Sequence, residues 1–140
     1  MEKILILGAT GFLGTSLTRS LKEIGYQVYT HGNQNIADYN VDITNETETY
    51  DLLNFLNPNI IINLIGKTSV EGCELDISSA FLLNVKCVEN IVATINKLKI
   101  NQFLIHVSTD HLYDGEFLSS EADIKIRNTY AMTKYAGNWL

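Results

Sequence analysis

Short apolar runs alternate with longer stretches of helical spacing along this chain, and that alternation predicts βαβ units carrying a parallel sheet. The first run, residues 3–7, is unbroken from Ile4 to Leu7 and suits a central strand covered on both faces. Residues 27–30, a short stretch near 39–41, residues 60–65 and residues 103–107 supply the others, so the expected sheet has about five strands. Between the first two strands, Leu13, Leu17, Leu21 and Ile24 recur at helical spacing, and Gly25 stands where a left-handed cap would end the helix. Asn45, with Glu48 three residues on, predicts a capping box ahead of the stripe Leu52, Leu53 and Leu56, and Pro58 closes that helix. One long helix is expected over roughly 77–99, with Phe81, Val85, Val88, Val92 and Ile95 as its sheet-facing seam. Residues 110–128 form the only long irregular stretch, of a length that usually carries function, and a last helix starts from Asn128. The fold class is therefore α/β, with a doubly wound parallel sheet.

Composition narrows the class of protein. The 140 residues are 46% hydrophobic and 19% charged, with 9 Gly and a single Pro, as expected of one globular domain spanning residues 1–140. The net charge is −6 and the basic residues are scattered, so no footprint for nucleic acid exists and a bound phosphate would be held by backbone. Cys73 and Cys87 stand too far apart for a redox or zinc pair, and no metal site is expected. The apolar run after Met1-Glu2-Lys3 is too short for a leader or a membrane span, which sets the expectation of a cytoplasmic protein with no membrane partner.

Chemistry enters directly after the first strand, at Gly8-Ala9-Thr10-Gly11-Phe12-Leu13-Gly14. Glycines at this spacing permit a tight strand-to-helix turn, close approach of backbone to a pyrophosphate and close helix-to-sheet packing, while the helix start presents free N–H groups. In this position the motif marks a Rossmann-type, NAD(P)-binding fold. An NAD-preferring site should carry a carboxylate at the end of the second strand, where this chain has Tyr29-Thr30-His31-Gly32. A 2′-phosphate would not be repelled there, although no Arg is present to clamp it. The cofactor is thus NADP(H) or NAD(H), with the balance tilted toward NADP(H).

Near the end of the chain, Tyr130 and Lys134 are four residues apart on the last helix and share one face. Reduction of a ketone by hydride needs a proton donor, and a phenol at pKa about 10 is a sluggish one. An ammonium about 5 Å away favours the phenolate by roughly 3 kcal/mol at an effective dielectric of about 20. Ser108-Thr109-Asp110 follows the last strand, at the carboxyl edge where such sheets bind ligands. Thr109 can donate a hydrogen bond to a developing alkoxide, and Asp110 can accept one from a substrate hydroxyl.

These residues resemble the extended short-chain dehydrogenase/reductase superfamily, and within it the dTDP-4-dehydrorhamnose reductase family. The resemblance rests on the glycine turn with Ile6 and Leu7, on Val41-Asp42-Ile43-Thr44, on Ile62-Asn63 through Thr68 with Cys73-Glu74, on Val107-Ser108-Thr109-Asp110 with Asp114-Gly115, and on residues 130–137. It implies cofactor contacts at Gly8, Gly11, Phe12, Leu13, Gly14, Asp42, Ile43, Ile65, Gly66, Lys67 and Val107, with Tyr130 and Lys134. It implies a catalytic set of Thr109, Tyr130 and Lys134, with substrate contacts at Thr109 and Asp110. Asn84 stands where the superfamily often has an asparagine. The sequence departs from the family at His111, Ala131 and Asn138, the last replacing a glutamate.

The activity so implied is reduction of the 4-keto group of a deoxysugar nucleotide, with that nucleotide sugar and a second copy of the chain as partners. Epimerisation or dehydration of a nucleotide sugar, and a non-catalytic cofactor-binding regulatory subunit, are the alternatives. Because the family's C-terminal substrate domain has no counterpart in these residues, impaired turnover is expected of the 140-residue chain alone.

Overall fold

The computed structural model describes residues 2–33, 36–99, 101–115 and 118–140. Two compact units emerge, Met1–Ile65 with Asn90–Val107, and Gly66–Glu89 with Ser108–Leu140.

The first unit holds the sheet. Strands β1 (Lys3–Leu7), β2 (Gln27–His31), β3 (Ile60–Asn63) and β4 (Phe103–His106) run parallel in the order β2-β1-β3-β4. In β1 the alternating side chains divide between the faces. Ile4 and Ile6 pack with Ala9, Val28 and Ile62 against Leu17 and Leu21 of helix α1 (Phe12–Glu23). Leu5 and Leu7 point the other way and are also fully buried, so both faces are covered, and each such side chain contributes about 1.5–3 kcal/mol. The chain leaves β1 for β2 on one side and returns for β3 on the other. That reversal opens a crevice at the carboxyl ends of β1 and β3.

Local signals set the element ends. Gly25, at φ +97°, follows α1, and Asn57, at φ +43°, ends α2 (Glu46–Leu56) just before Pro58. The Asn45 side chain accepts from the Thr47 and Glu48 amides as a cap should, but Glu48 turns its carboxylate to the Asp42 amide, 2.7 Å away, instead of completing the box.

Two expectations change. The stretch at 39–41 is not a fifth strand: Tyr39 makes one isolated bridge with His31, and the sheet has four strands among the described residues. Side chains take the place of a ladder there, because His31 Nε2 pairs with the Val41 carbonyl (2.8 Å) and Glu48 takes the next amide. A short helix, α3 (Val70–Leu75), precedes the long helix, which runs without interruption over 77–98 but is not uniformly α: α4 (Ile77–Phe81) passes through a π turn at Leu82–Lys86 into α5 (Cys87–Leu98). Ser69 caps α3, and Asp76 both ends α3 and caps α4 by accepting from the Ser79 amide.

In the second unit α3, α4 and the π turn surround α6 (Thr129–Gly137), around a small core of Cys73, Ala80 and Tyr130. Among the described residues no helix is long and apolar enough to cross a membrane.

Candidate active site

The glycine turn is held by both of its strand neighbours. The Gly8 and Ala9 amides donate to the His31 carbonyl (3.1 and 2.8 Å), and the Leu64 amide donates to the Leu7 carbonyl (2.9 Å). Gly8, at φ +82°, lies where a side chain would press on the Leu64 and Ile65 backbone. At Gly14 a Cβ would stand 2.5 Å from the Gly8 carbonyl oxygen and 2.6 Å from the Ala9 Cα, so the helix can sit this close to the turn only as glycine.

Helices α2, α3, α4 and α6 each receive a side-chain cap, from Asn45, Ser69, Asp76 and Asn128. Helix α1 begins at Gly11 with no side-chain cap, and Phe12 beside it is fully exposed. Its first-turn amides are therefore open to an anion, which is what a pyrophosphate requires.

The remaining residues of the first unit divide by role. Asp42 folds its carboxylate onto the Thr44 amide and hydroxyl (2.9 and 2.7 Å). Ile43 is buried, and its carbonyl accepts from Thr49 Oγ1 and Asn90 Nδ2, so the 42–43 segment is fixed from beneath. Ile65 is held by its amide, which donates to Oδ1 of the fully buried Asn63 (3.0 Å). Val107 continues from β4, its amide 3.3 Å from the Asn63 carbonyl.

The second unit gathers the acid–base candidates. Asn84, fully buried in the π turn, accepts from the Lys67 amide (2.8 Å) and donates to both the Lys67 carbonyl (3.2 Å) and Thr133 Oγ1 (2.9 Å). Thr133 in turn donates to the Tyr130 carbonyl (3.0 Å). One asparagine thus ties the Gly66-Lys67 peptide to the helical turn that separates Tyr130 from Lys134. Gly66 is tight against it, since a Cβ would reach 3.0 Å from Asn84 Oδ1. The Lys67 ammonium is turned to Asp76 (3.5 Å).

Tyr130 is 9% exposed, and the ring of His111 meets it edge to face with centroids 5.4 Å apart. Lys134 is 5% exposed, and burial pulls its pKa down to about 8. The hydroxyl of Thr109 caps a short 3-10 turn, Asp110–Leu112, by accepting from the His111 amide (3.2 Å), while its proton points to Asp110 Oδ1 at a long 3.5 Å. That proton can be redirected to another acceptor at little cost. Next to it, Asn138 Nδ2 donates to Ser108 Oγ (2.7 Å), which gives the residue that departs from the family pattern a structural task.

One contributor had no signal in the spacing. Glu74 of α3 accepts from the Thr129 amide (2.6 Å) and hydroxyl (2.8 Å), and these bonds hold its carboxyl below the usual range. It fixes the residue before Tyr130 from 55 positions away in sequence.

Comparison with known proteins shows the family to which the chain belongs. The family model described as RmlD substrate binding domain matches residues 1–139. The dTDP-4-dehydrorhamnose reductase of Aggregatibacter actinomycetemcomitans is 37% identical over 117 residues, covering 82% of this chain and 37% of that protein. The solved dTDP-4-dehydrorhamnose reductase of Bacillus anthracis, in complex with NADP, superposes with a TM-score of 0.85 at 26% identity, covering 99% of this chain and 48% of that one. The UDP-Glc/GlcNAc 4-epimerase of Campylobacter jejuni reaches a TM-score of 0.89 at 16% identity over 99% of this chain and 47% of its own, a likeness of fold alone. The chain spans less than half the length of these relatives.

Proposed function

The chain belongs to the RmlD substrate-binding-domain family, and from that premise we propose that it forms the cofactor-binding and proton-donating part of an NAD(P)H-dependent reductase acting on the 4-keto group of a deoxysugar nucleotide. The observation that carries this reading is the buried pair of Tyr130 and Lys134 on one face of α6, clamped through Thr133 and Asn84 to the Gly66-Lys67 peptide. The names of the relatives supply the substrate class.

Bound reduced nicotinamide would supply the hydride. The open first turn of α1, at Gly11, Phe12, Leu13 and Gly14, would face the dinucleotide's phosphates with N–H groups and the positive end of the helix dipole. The Tyr130 phenol would give its proton to the carbonyl oxygen as that oxygen becomes an alkoxide. Lys134 would favour the resulting phenolate electrostatically, and the more strongly because both groups are removed from water. Thr109 would redirect its hydroxyl proton to the same oxygen, and Asp110 would accept from a sugar hydroxyl.

The test has two parts. Titration with NADH and NADPH should give a saturable change in nicotinamide fluorescence, and its absence removes the proposal. Supplemented with the remaining residues of a longer relative, the chain should then oxidise one nicotinamide per dTDP-4-keto-6-deoxyhexose reduced. Tyr130→Phe should lower that turnover about 10²-fold or more while leaving the titration unchanged. Conversion of the sugar without net oxidation would point to epimerisation instead.

A further inference from the structure

The carboxylate that the sequence lacks at the end of β2 is delivered from the loop that follows. Asp38 folds back eight residues onto Thr30. Its Oδ2 accepts from the Thr30 amide (2.8 Å) and hydroxyl (2.7 Å), and its own amide donates to Thr30 Oγ1 (3.0 Å). Tyr39 adds a backbone bond to the Thr30 carbonyl (3.0 Å), so both sides of this peptide are engaged by residues 38 and 39. With Oδ2 doubly occupied, Oδ1 has no protein donor among the described residues and is held in a defined direction.

That direction matters because Asp38 lines a cavity of about 210 Å³ together with Ala9 and Thr10 of the glycine turn, Thr30, and Thr15 and Lys22 of α1. The turn is anchored to the last residue of β2 by two amides, and Thr10 packs so closely on Gly32 that a Cβ there would lie 2.6 Å from its hydroxyl. A dinucleotide whose phosphates rest on this turn places its adenosine ribose over the end of the second strand. The cavity beside Thr10 is where the 2′ position of that ribose must look.

Resting on the function proposed above, we propose that Asp38 sets the cofactor preference of this site and selects NAD(H) over NADP(H). A ribose 2′-hydroxyl is a donor, and Oδ1 is an acceptor. A 2′-phosphate carries only acceptors and nearly two negative charges, and it would meet a fixed carboxylate. Against it stands one lining cation, Lys22, exposed on the last turn of α1, and no arginine lines the cavity. A flexible surface ammonium offsets little of the charge it faces. This preference is opposite to the tilt toward NADP(H) that residues 29–32 alone suggest.

The experiment is a fluorescence titration of the purified chain with NADH and with NADPH, in the wild type and in Asp38→Asn. The wild type should bind NADH at least about tenfold more tightly than NADPH. Asp38→Asn keeps an acceptor for Thr30 but loses the charge, and it should bring the two constants within about threefold, chiefly by tightening NADPH. Competition in the wild type needs no variant: adenosine 2′,5′-bisphosphate should displace NADH at least about tenfold less effectively than ADP. Equal or tighter NADPH binding, equal competition by the two adenosine phosphates, or an unchanged ratio in a folded Asp38→Asn protein overturns the assignment. Failure to bind either dinucleotide overturns the function proposed above along with it.

Discussion

A lysine that is only 5% exposed is a costly residue to keep charged inside a small helical cluster, and Lys134 shows the cost as a pKa pulled to about 8 by burial. The same burial makes its field on Tyr130, one helical turn away, stronger than a surface pair could exert. The cost has a measurable sign. An unfolded lysine titrates near 10.4, so between about pH 8 and pH 10 the unfolded chain binds more protons than the folded one. Stability should therefore rise with pH across that window, while below pH 8 the full penalty is carried. Lys134→Met should flatten the rise, read as the difference in urea midpoint between the two proteins at a series of pH values. Parallel pH dependences in wild type and variant would show that the buried amine does not carry the penalty.

Helix α6 depends on partners from other elements. Asn128 caps it locally, Glu74 reaches its first residue from α3, and Asn84 reaches its middle from the π turn. Asn84 satisfies three polar groups at once, the half-buried Lys67 amide and carbonyl and the buried Thr133 hydroxyl. Asn84→Leu fills the same space but strands them, at about 1–3 kcal/mol for each group that cannot find water. We expect a loss of about 3 kcal/mol in urea unfolding, and a loss below about 1 kcal/mol would mean that the network is dispensable. This is also where reading the sequence stopped short. β1, α1, Gly25, the Asn45 cap and Pro58 were legible because each is decided by neighbours within a few residues. The π turn within the long helix was not, because apolar spacing over 77–99 is satisfied equally by a uniform α-helix, while Asn84 in that turn bonds to a peptide 17 residues earlier. Asp38 escaped for a similar reason: eight residues separate it from Thr30, and nothing in a linear scan says that a loop aspartate will return to a strand end. The candidate residues Gly8, Gly11, Gly14, Tyr130 and Lys134 stand out in the sequence because their spacing is itself the geometry their proposed roles need.

For the molecule as a whole, electrostatics sets a condition on any anionic ligand. The chain carries −6 with its few basic residues scattered, yet the glycine turn is proposed to hold a pyrophosphate. Attraction must then come from short-range, directional N–H groups at the start of α1, while the long-range field of the protein opposes approach. Added salt acts on these two terms differently. It screens the long-range repulsion over a Debye length of about 10 Å at 0.1 M, and it weakens hydrogen bonds from partly enclosed amides far less. NADH affinity should accordingly stay level or improve by up to about twofold as salt is raised from about 0.02 M to 0.2 M, measured by fluorescence titration at constant pH. A site that gripped the phosphates with lysines and arginines would behave in the opposite way, losing affinity steadily over the same range. A loss of tenfold or more would therefore place the phosphates on basic side chains and remove the backbone cradle from the account.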